Sequence, residues 1–124
     1  MNTKKILVVD DSKTALMMER SILEKCTPYQ CVTAMDGAEA LVKAESEKPD
    51  LILMDVVMPR MNGFEACKKM RERASTREIP IILVTTRREE SYTEAGFQSG
   101  CNDYITKPIN STELVELLQS YLGK

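Results

Sequence analysis

Histidine is absent from the 124 residues. That excludes histidine-based triads, imidazole acid–base catalysis and zinc sites of the usual kind. Any bound metal must be a hard ion held by oxygen. Cysteine is sparse: Cys26, Cys31, Cys67 and Cys101 form no C-x-x-C pair, and the chain is long enough to build an apolar core without staples. The thiols read as reduced and the compartment as cytoplasmic. Long apolar runs are missing too. Ile6 to Val9 is short and meets two aspartates at once, so neither a membrane span nor a signal peptide is read. A net charge of −2 gives no general attraction to nucleic acid or to acidic membranes. What remains is ordinary for a globular chain, 43% hydrophobic and 29% charged. The length suits one domain over residues 1–124, with no second domain to carry an output. Any output must then pass through a partner surface.

Strand and helix patterns alternate five times. Lys5–Val9 reads as a strand ending in Asp10-Asp11-Ser12, where Asp11 or Ser12 caps a helix over Lys13–Glu24. Ala15, Met18, Ile22 and Leu23 predict its buried stripe. Thr27-Pro28 stops it. Gln30–Ala34 is a second, more polar strand, and the helix after Asp36-Gly37 turns Ala38, Leu41 and Ala44 inward. Leu51–Met54 is an apolar third strand running into Asp55, Met58-Pro59 and Asn62-Gly63. Asn62 and Glu65 match a capping box for a helix that buries Phe64, Cys67 and Met70. Ile81–Val84 is a fourth strand, followed by Thr85-Thr86. Arg87–Ser99 is the weakest helix, with Gly96 inside it and few apolar anchors beyond Ala95 and Phe97. Gly100 closes it. Asp103–Thr106 is a short fifth strand, Lys107-Pro108 leaves it, and a helix capped near Asn110 buries Leu114, Leu117, Leu118 and Tyr121. Such alternation predicts an α/β fold, a parallel sheet with helices on both faces. The apolar first, third and fourth strands belong in the middle. Right-handed crossovers then give the order 2-1-3-4-5, the flavodoxin-like (βα)5 three-layer arrangement.

In that order Asp10-Asp11, Asp55, Thr85-Thr86 and Lys107 share the C-terminal rim of the sheet, where open α/β folds place ligands. Alone, Asp10-Asp11-Ser12 reads equally well as helix capping, and Asp55, Thr85 and Lys107 read better as turn or strand-end chemistry. Together they make a phosphate and Mg²⁺ site. Like charges near 4 Å repel by about 4 kcal/mol at an effective dielectric of roughly 20. Three carboxylates and one lysine leave about −2, which one Mg²⁺ neutralises.

These residues resemble the receiver domain of bacterial two-component response regulators. The resemblance rests on Ile6 to Ser12, on Asp55 with Met58-Pro59 and Asn62-Gly63, on Thr85, on Gly100 to Tyr104 and on Lys107-Pro108. It implies that Asp55 accepts a phosphoryl group from the phosphohistidine of a partner histidine kinase. Asp11, Asp55 and the Val57 carbonyl would ligate Mg²⁺, with Asp10 acting through water. Lys107 would pair with the phosphoryl oxygens, Thr85 would hydrogen-bond them, and Tyr104 would be the switch aromatic. The peptide before Pro108 is expected to be cis. The implied protein is a phosphoacceptor in signalling, not an enzyme, of the kind found in chemotaxis, motility or phosphorelays. Its output surface would be helix four, strand five and helix five. Three other readings compete. An Mg²⁺-dependent phosphatase with an aspartate nucleophile lacks the second acid of a D-x-D pair. A flavin binder lacks a phosphate-cradling loop. An unphosphorylated scaffold would have no use for every site residue.

Overall fold

The computed structural model describes residues 3–86 and 90–123, with backbone alone for residues 90–93. Five strands and five helices alternate: β1 Lys5–Val9, α1 Lys13–Cys26, β2 Gln30–Ala34, α2 Gly37–Ser46, β3 Leu51–Asp55, α3 Gly63–Arg71, β4 Ile81–Thr85, α4 Glu90–Gln98, β5 Asp103–Thr106 and α5 Ser111–Leu122. All strand pairs are parallel, in the order β2-β1-β3-β4-β5, as the pattern of apolar and mixed strands predicts. Alternate residues of the central strands feed two cores. Leu7, Val9, Ile52, Met54, Ile81 and Leu83 meet Ala40, Ala66 and Met70 of α2 and α3. Ile6, Val8, Leu51, Leu53, Ile82 and Val84 meet Leu23 of α1 with Leu114 and Leu118 of α5.

Side-chain caps start four helices where the sequence places them. Ser12 accepts from the Ala15 amide, Asp36 from Glu39 and Asn110 from Glu113. Asn62 and Glu65 form the reciprocal capping box. Gly100 closes α4 at φ +102°, a backbone that a side chain would strain.

The inward faces need correction. In α1 the buried residues are Leu16, Glu19 and Leu23, while Met18 is 63% exposed and Ala15 and Ile22 are half-buried. Leu23 is buried as predicted, but over the first turns the buried face is rotated by one residue, about 100°, from Ala15 and Met18 to Leu16 and Glu19. Burial follows the approach of the helix to the sheet, and there it overrides the hydrophobicity difference between Met18 and Glu19. In α2, Ala38 is exposed and Ala40 takes its place beside Leu41 and Ala44. Strands β3 and β4 each run one residue further than predicted, because Asp55 pairs with Val84 and Thr85 pairs with Thr106. Phe97 does not anchor α4. It is 49% exposed, and among the described side chains Gly96 within the helix and Ser99 just after it are buried instead. The predicted start of that helix at Arg87-Arg88 lies outside the described residues.

Candidate functional site

The C-terminal rim is held together by the backbone before any side chain acts. The Asp10 amide donates to Ala34 O at 3.1 Å, the Val56 amide to Val84 O at 2.9 Å, and the Lys107 amide to Thr85 O at 2.8 Å. Each links the end of one strand to its neighbour, so Asp10, Asp55, Thr85 and Lys107 are fixed in one row. The β3–α3 loop folds back through the Gly63 amide, which donates to Val56 O at 2.8 Å. A Cβ on Gly63 would lie 2.5 Å from the Asp55 carbonyl oxygen and 2.9 Å from Val56 Cα, so that approach requires glycine.

On this frame the acids converge. Asp10, Asp11 and Asp55 each bring a carboxylate oxygen within 4.8 Å of the others. Asp10 is buried and Asp55 nearly so, while Asp11 is exposed. Lys107 Nζ donates to Asp10 Oδ2 at 2.9 Å and stands 3.8 Å from Asp55 Oδ2. The Ser12 amide donates to the other Asp10 oxygen at 2.9 Å. Thr85 is buried at the end of β4, and Val57, in the loop after β3, is half exposed.

The electrostatics follow from burial first and from crowding second. The Asp55 carboxyl is pushed up from 3.8 to about 6, first by burial and then by the Asp10 charge, with Lys107 opposing and Asp11 adding. Burial alone would lower the Lys107 pKa. The hydrogen bond to Asp10 and the charges of Asp55, Asp10 and Glu19 outweigh it and hold the ammonium above its ordinary value. The result is a carboxylate beside a fixed cation in an oxygen-only donor set. Such a set fits a hard divalent ion and a phosphoryl group.

A model of the response regulator receiver domain matches residues 6–119. The chain belongs to this family. It is 39% identical to Protein PilH of Pseudomonas aeruginosa over 119 residues, covering 96% of this chain and 98% of PilH. It is 43% identical over 121 residues to the alkaline phosphatase synthesis transcriptional regulatory protein PhoP of Bacillus subtilis, covering 98% of this chain but 49% of PhoP. The chain thus spans one curated relative and about half of the other. Among solved structures, the Vibrio cholerae chemotaxis protein CheY4 matches with a TM-score of 0.90 at 35% identity, over 97% of this chain and 99% of that one. The receiver domain of the sensor histidine kinase PA1611 from Pseudomonas aeruginosa also reaches 0.90, at 31% identity, over 99% of this chain and all of that one. That structure has a magnesium ion coordinated in its active site cleft. The receiver resemblance and the flavodoxin-like strand order read from the residues are borne out.

Two features of this receiver domain lie around the acids. Tyr104, paired with Leu83 across the sheet, is half-buried against the core on the α2 and α3 side. The α4 helix approaches it at Gly96, where a Cβ would stand 3.0 Å from the Tyr104 ring and 3.5 Å from the Phe64 ring. The Lys107–Pro108 peptide is cis, as expected. The second feature, Glu19, escaped sequence reasoning. It is 4% exposed on α1, and its carboxyl is pushed up from 4.5 to about 8 by burial, then by Asp10, against Lys107, with Asp55 adding. Its spacing with Leu16 and Leu23 was the available signal, and a charged side chain in that stripe hid it.

Proposed function

We infer that this receiver domain is a phosphoacceptor, taking a phosphoryl group onto Asp55 from a histidine kinase in the cytoplasm. The observation that carries this reading is the meeting of three carboxylate oxygens within 4.8 Å, one of them on Asp55, with Lys107 Nζ 3.8 Å from the Asp55 carboxylate. An Asp55 oxygen attacks phosphorus, the P–N bond to the donor imidazole breaks, and that imidazole leaves with a proton. Phosphoryl transfer demands position and charge neutralisation more than covalent help. Lys107 supplies a fixed positive charge to the phosphoryl oxygens, and the Thr85 hydroxyl hydrogen-bonds them. Asp11, Asp55 and the Val57 carbonyl would hold Mg²⁺, with Asp10 reached through water. The bound ion supplies the rest of the neutralisation.

The signal leaves through α4, β5 and α5. Thr85 and Tyr104 lie at the β4 and β5 edge of the acid row, and α4 is the thinly anchored element beside them. The nearness in structure of the chemotaxis protein CheY4 supports a role in chemotaxis or motility, with a phosphorelay as the other setting of this reading. Nucleic acid and membranes are not partners in this reading. In the described residues no helix is long and apolar enough to cross a bilayer.

The test is intact mass after treatment with a small acyl phosphate and Mg²⁺, beside an Asp55→Asn variant. One added phosphoryl group, in the wild type alone and only with Mg²⁺, is expected. No gain in either protein points to a scaffold. Continuous turnover of phosphate esters points to a phosphatase.

A further inference from the structure

A cavity of about 130 Å³, open to solvent on the side of Met18 and Pro108, lies between α1 and the turn that follows β5. Ala15, Met18 and Ile22 form one wall, and Pro108 and Ile109 form the other. Two polar residues also line it, Glu19 and Lys107. The Lys107 ammonium is committed to Asp10 and Asp55. Glu19 has no such commitment. Among the described residues it has neither a hydrogen-bond partner nor an ion pair, although its side chain is almost wholly removed from solvent. No fully enclosed side-chain oxygen among the described residues lacks a partner, so the Glu19 carboxyl keeps a small accessible area, and the cavity that Glu19 lines, otherwise almost wholly apolar, is the space beside it.

We propose that this cavity binds a small apolar molecule bearing one hydrogen-bond donor, an alcohol or phenol, whose body fills the space against Pro108 and Ile109 and whose hydroxyl donates to Glu19. Size and chemistry select this class. An apolar cavity of roughly 150 Å³ holds one benzene ring. A carboxyl accepts a hydrogen bond whether or not it is ionised, so a hydroxyl head suits it on both sides of its elevated pKa of about 8. A purely apolar guest would leave the buried carboxyl without a partner, which is unfavourable. A carboxylate head would meet the charges of Asp10 and Asp55, which already act on Glu19. The occupant would touch Lys107 and Pro108 and so press on the turn that carries the cation of the acid row.

Phenol and toluene, of matched size, are the probes, titrated into the full ¹⁵N-labelled chain. Phenol is expected to move the Met18, Glu19, Ile22 and Ile109 amides saturably and to bind about five-fold more tightly than toluene. Glu19→Gln keeps an acceptor and is expected to keep that preference. Glu19→Met is expected to lose it. Equal binding of the two probes to the wild type, shifts centred elsewhere, no saturation, or a preference that survives Glu19→Met would each overturn the proposal. If Glu19→Met does not fold, the wild-type comparison and Glu19→Gln still decide.

Discussion

Replacing Glu19 with glutamine is expected to stabilise the protein, by an amount that depends on pH. The folded carboxyl titrates near 8 against 4.5 for the free group, because burial and the Asp10 charge oppose ionisation. The sign follows. Between these values the folded state retains a proton that the unfolded chain has released, so stability is complete below pH 4.5 and falls as pH rises towards 8. At pH 7 the full linkage is about 3 kcal/mol, and above pH 8 about 5 kcal/mol. Water entering the cavity and relaxation of α1 reduce it, and about 2 kcal/mol at pH 7 is the working figure. Glutamine has the same shape and no charge at any pH. Urea unfolding of both proteins at pH 5 and pH 8, with chelator present, reads the difference directly from the midpoints at constant slope. Glu19→Gln should be near neutral at pH 5 and more stable by about 2–4 kcal/mol at pH 8. An equal difference at both pH values would refute the reasoning, because only a titrating group can separate them.

In Asp55→Asn the same logic applies over a lower window, from 3.8 to about 6. Without metal, the variant should gain up to about 3 kcal/mol above pH 7 and nothing below pH 4, as chemical unfolding at the two pH values would show. Mg²⁺ should raise the melting temperature of the wild type far more than that of Asp55→Asn. Lys107→Met removes the ammonium 2.9 Å from the buried Asp10 and should lower stability by about 3 kcal/mol at pH 7.5; a loss under about 1 kcal/mol would mean that the pair contributes little. Gly63→Ala places a methyl 2.5 Å from the Asp55 carbonyl oxygen. A loss of about 2–3 kcal/mol and slower acyl-phosphate labelling are expected, and an unchanged urea midpoint would show that the loop yields freely.

The sheet was legible because its signals are redundant. Ile6–Val9, Leu51–Met54 and Ile81–Val84 are apolar throughout, and only the middle of a parallel sheet buries both faces of a strand. The polar groups after those strands could be placed in one row for the same reason. Helix faces were less legible. The set Ala15, Met18 and Ile22 and the set Leu16 and Glu19 both run at helical spacing up to the buried Leu23, and hydrophobicity alone prefers the first set. The choice is made by the docking of α1 on Ile6, Val8 and α5, which a local pattern does not contain. Asp55 and Thr85 were read as residues after strands and are the last residues within them, since pairing with Val84 and Thr106 extends each ladder by one step.

That extra step bears on how a charge at Asp55 would reach the proposed output face. Asp55 is a ladder residue beside Val84, and Thr85 follows Val84 directly. The Thr85 carbonyl holds the Lys107 amide at 2.8 Å, while the Lys107 ammonium is shared unequally, 2.9 Å to Asp10 and 3.8 Å to Asp55. A phosphoryl group raises the negative charge at Asp55 by about one unit. It would therefore shift the balance of that sharing towards Asp55. Lys107 directly follows β5, so its displacement would act on the end of that strand, where Tyr104, three residues upstream, lies against Gly96 of α4. The crowded acids also disfavour the fold without cation, and by linkage any ion that neutralises them regains that free energy on binding. Under the proposed function, part of the energy for switching would already be present in the burial and mutual repulsion of Asp10 and Asp55, and Lys107 is the side chain through which it would reach β5.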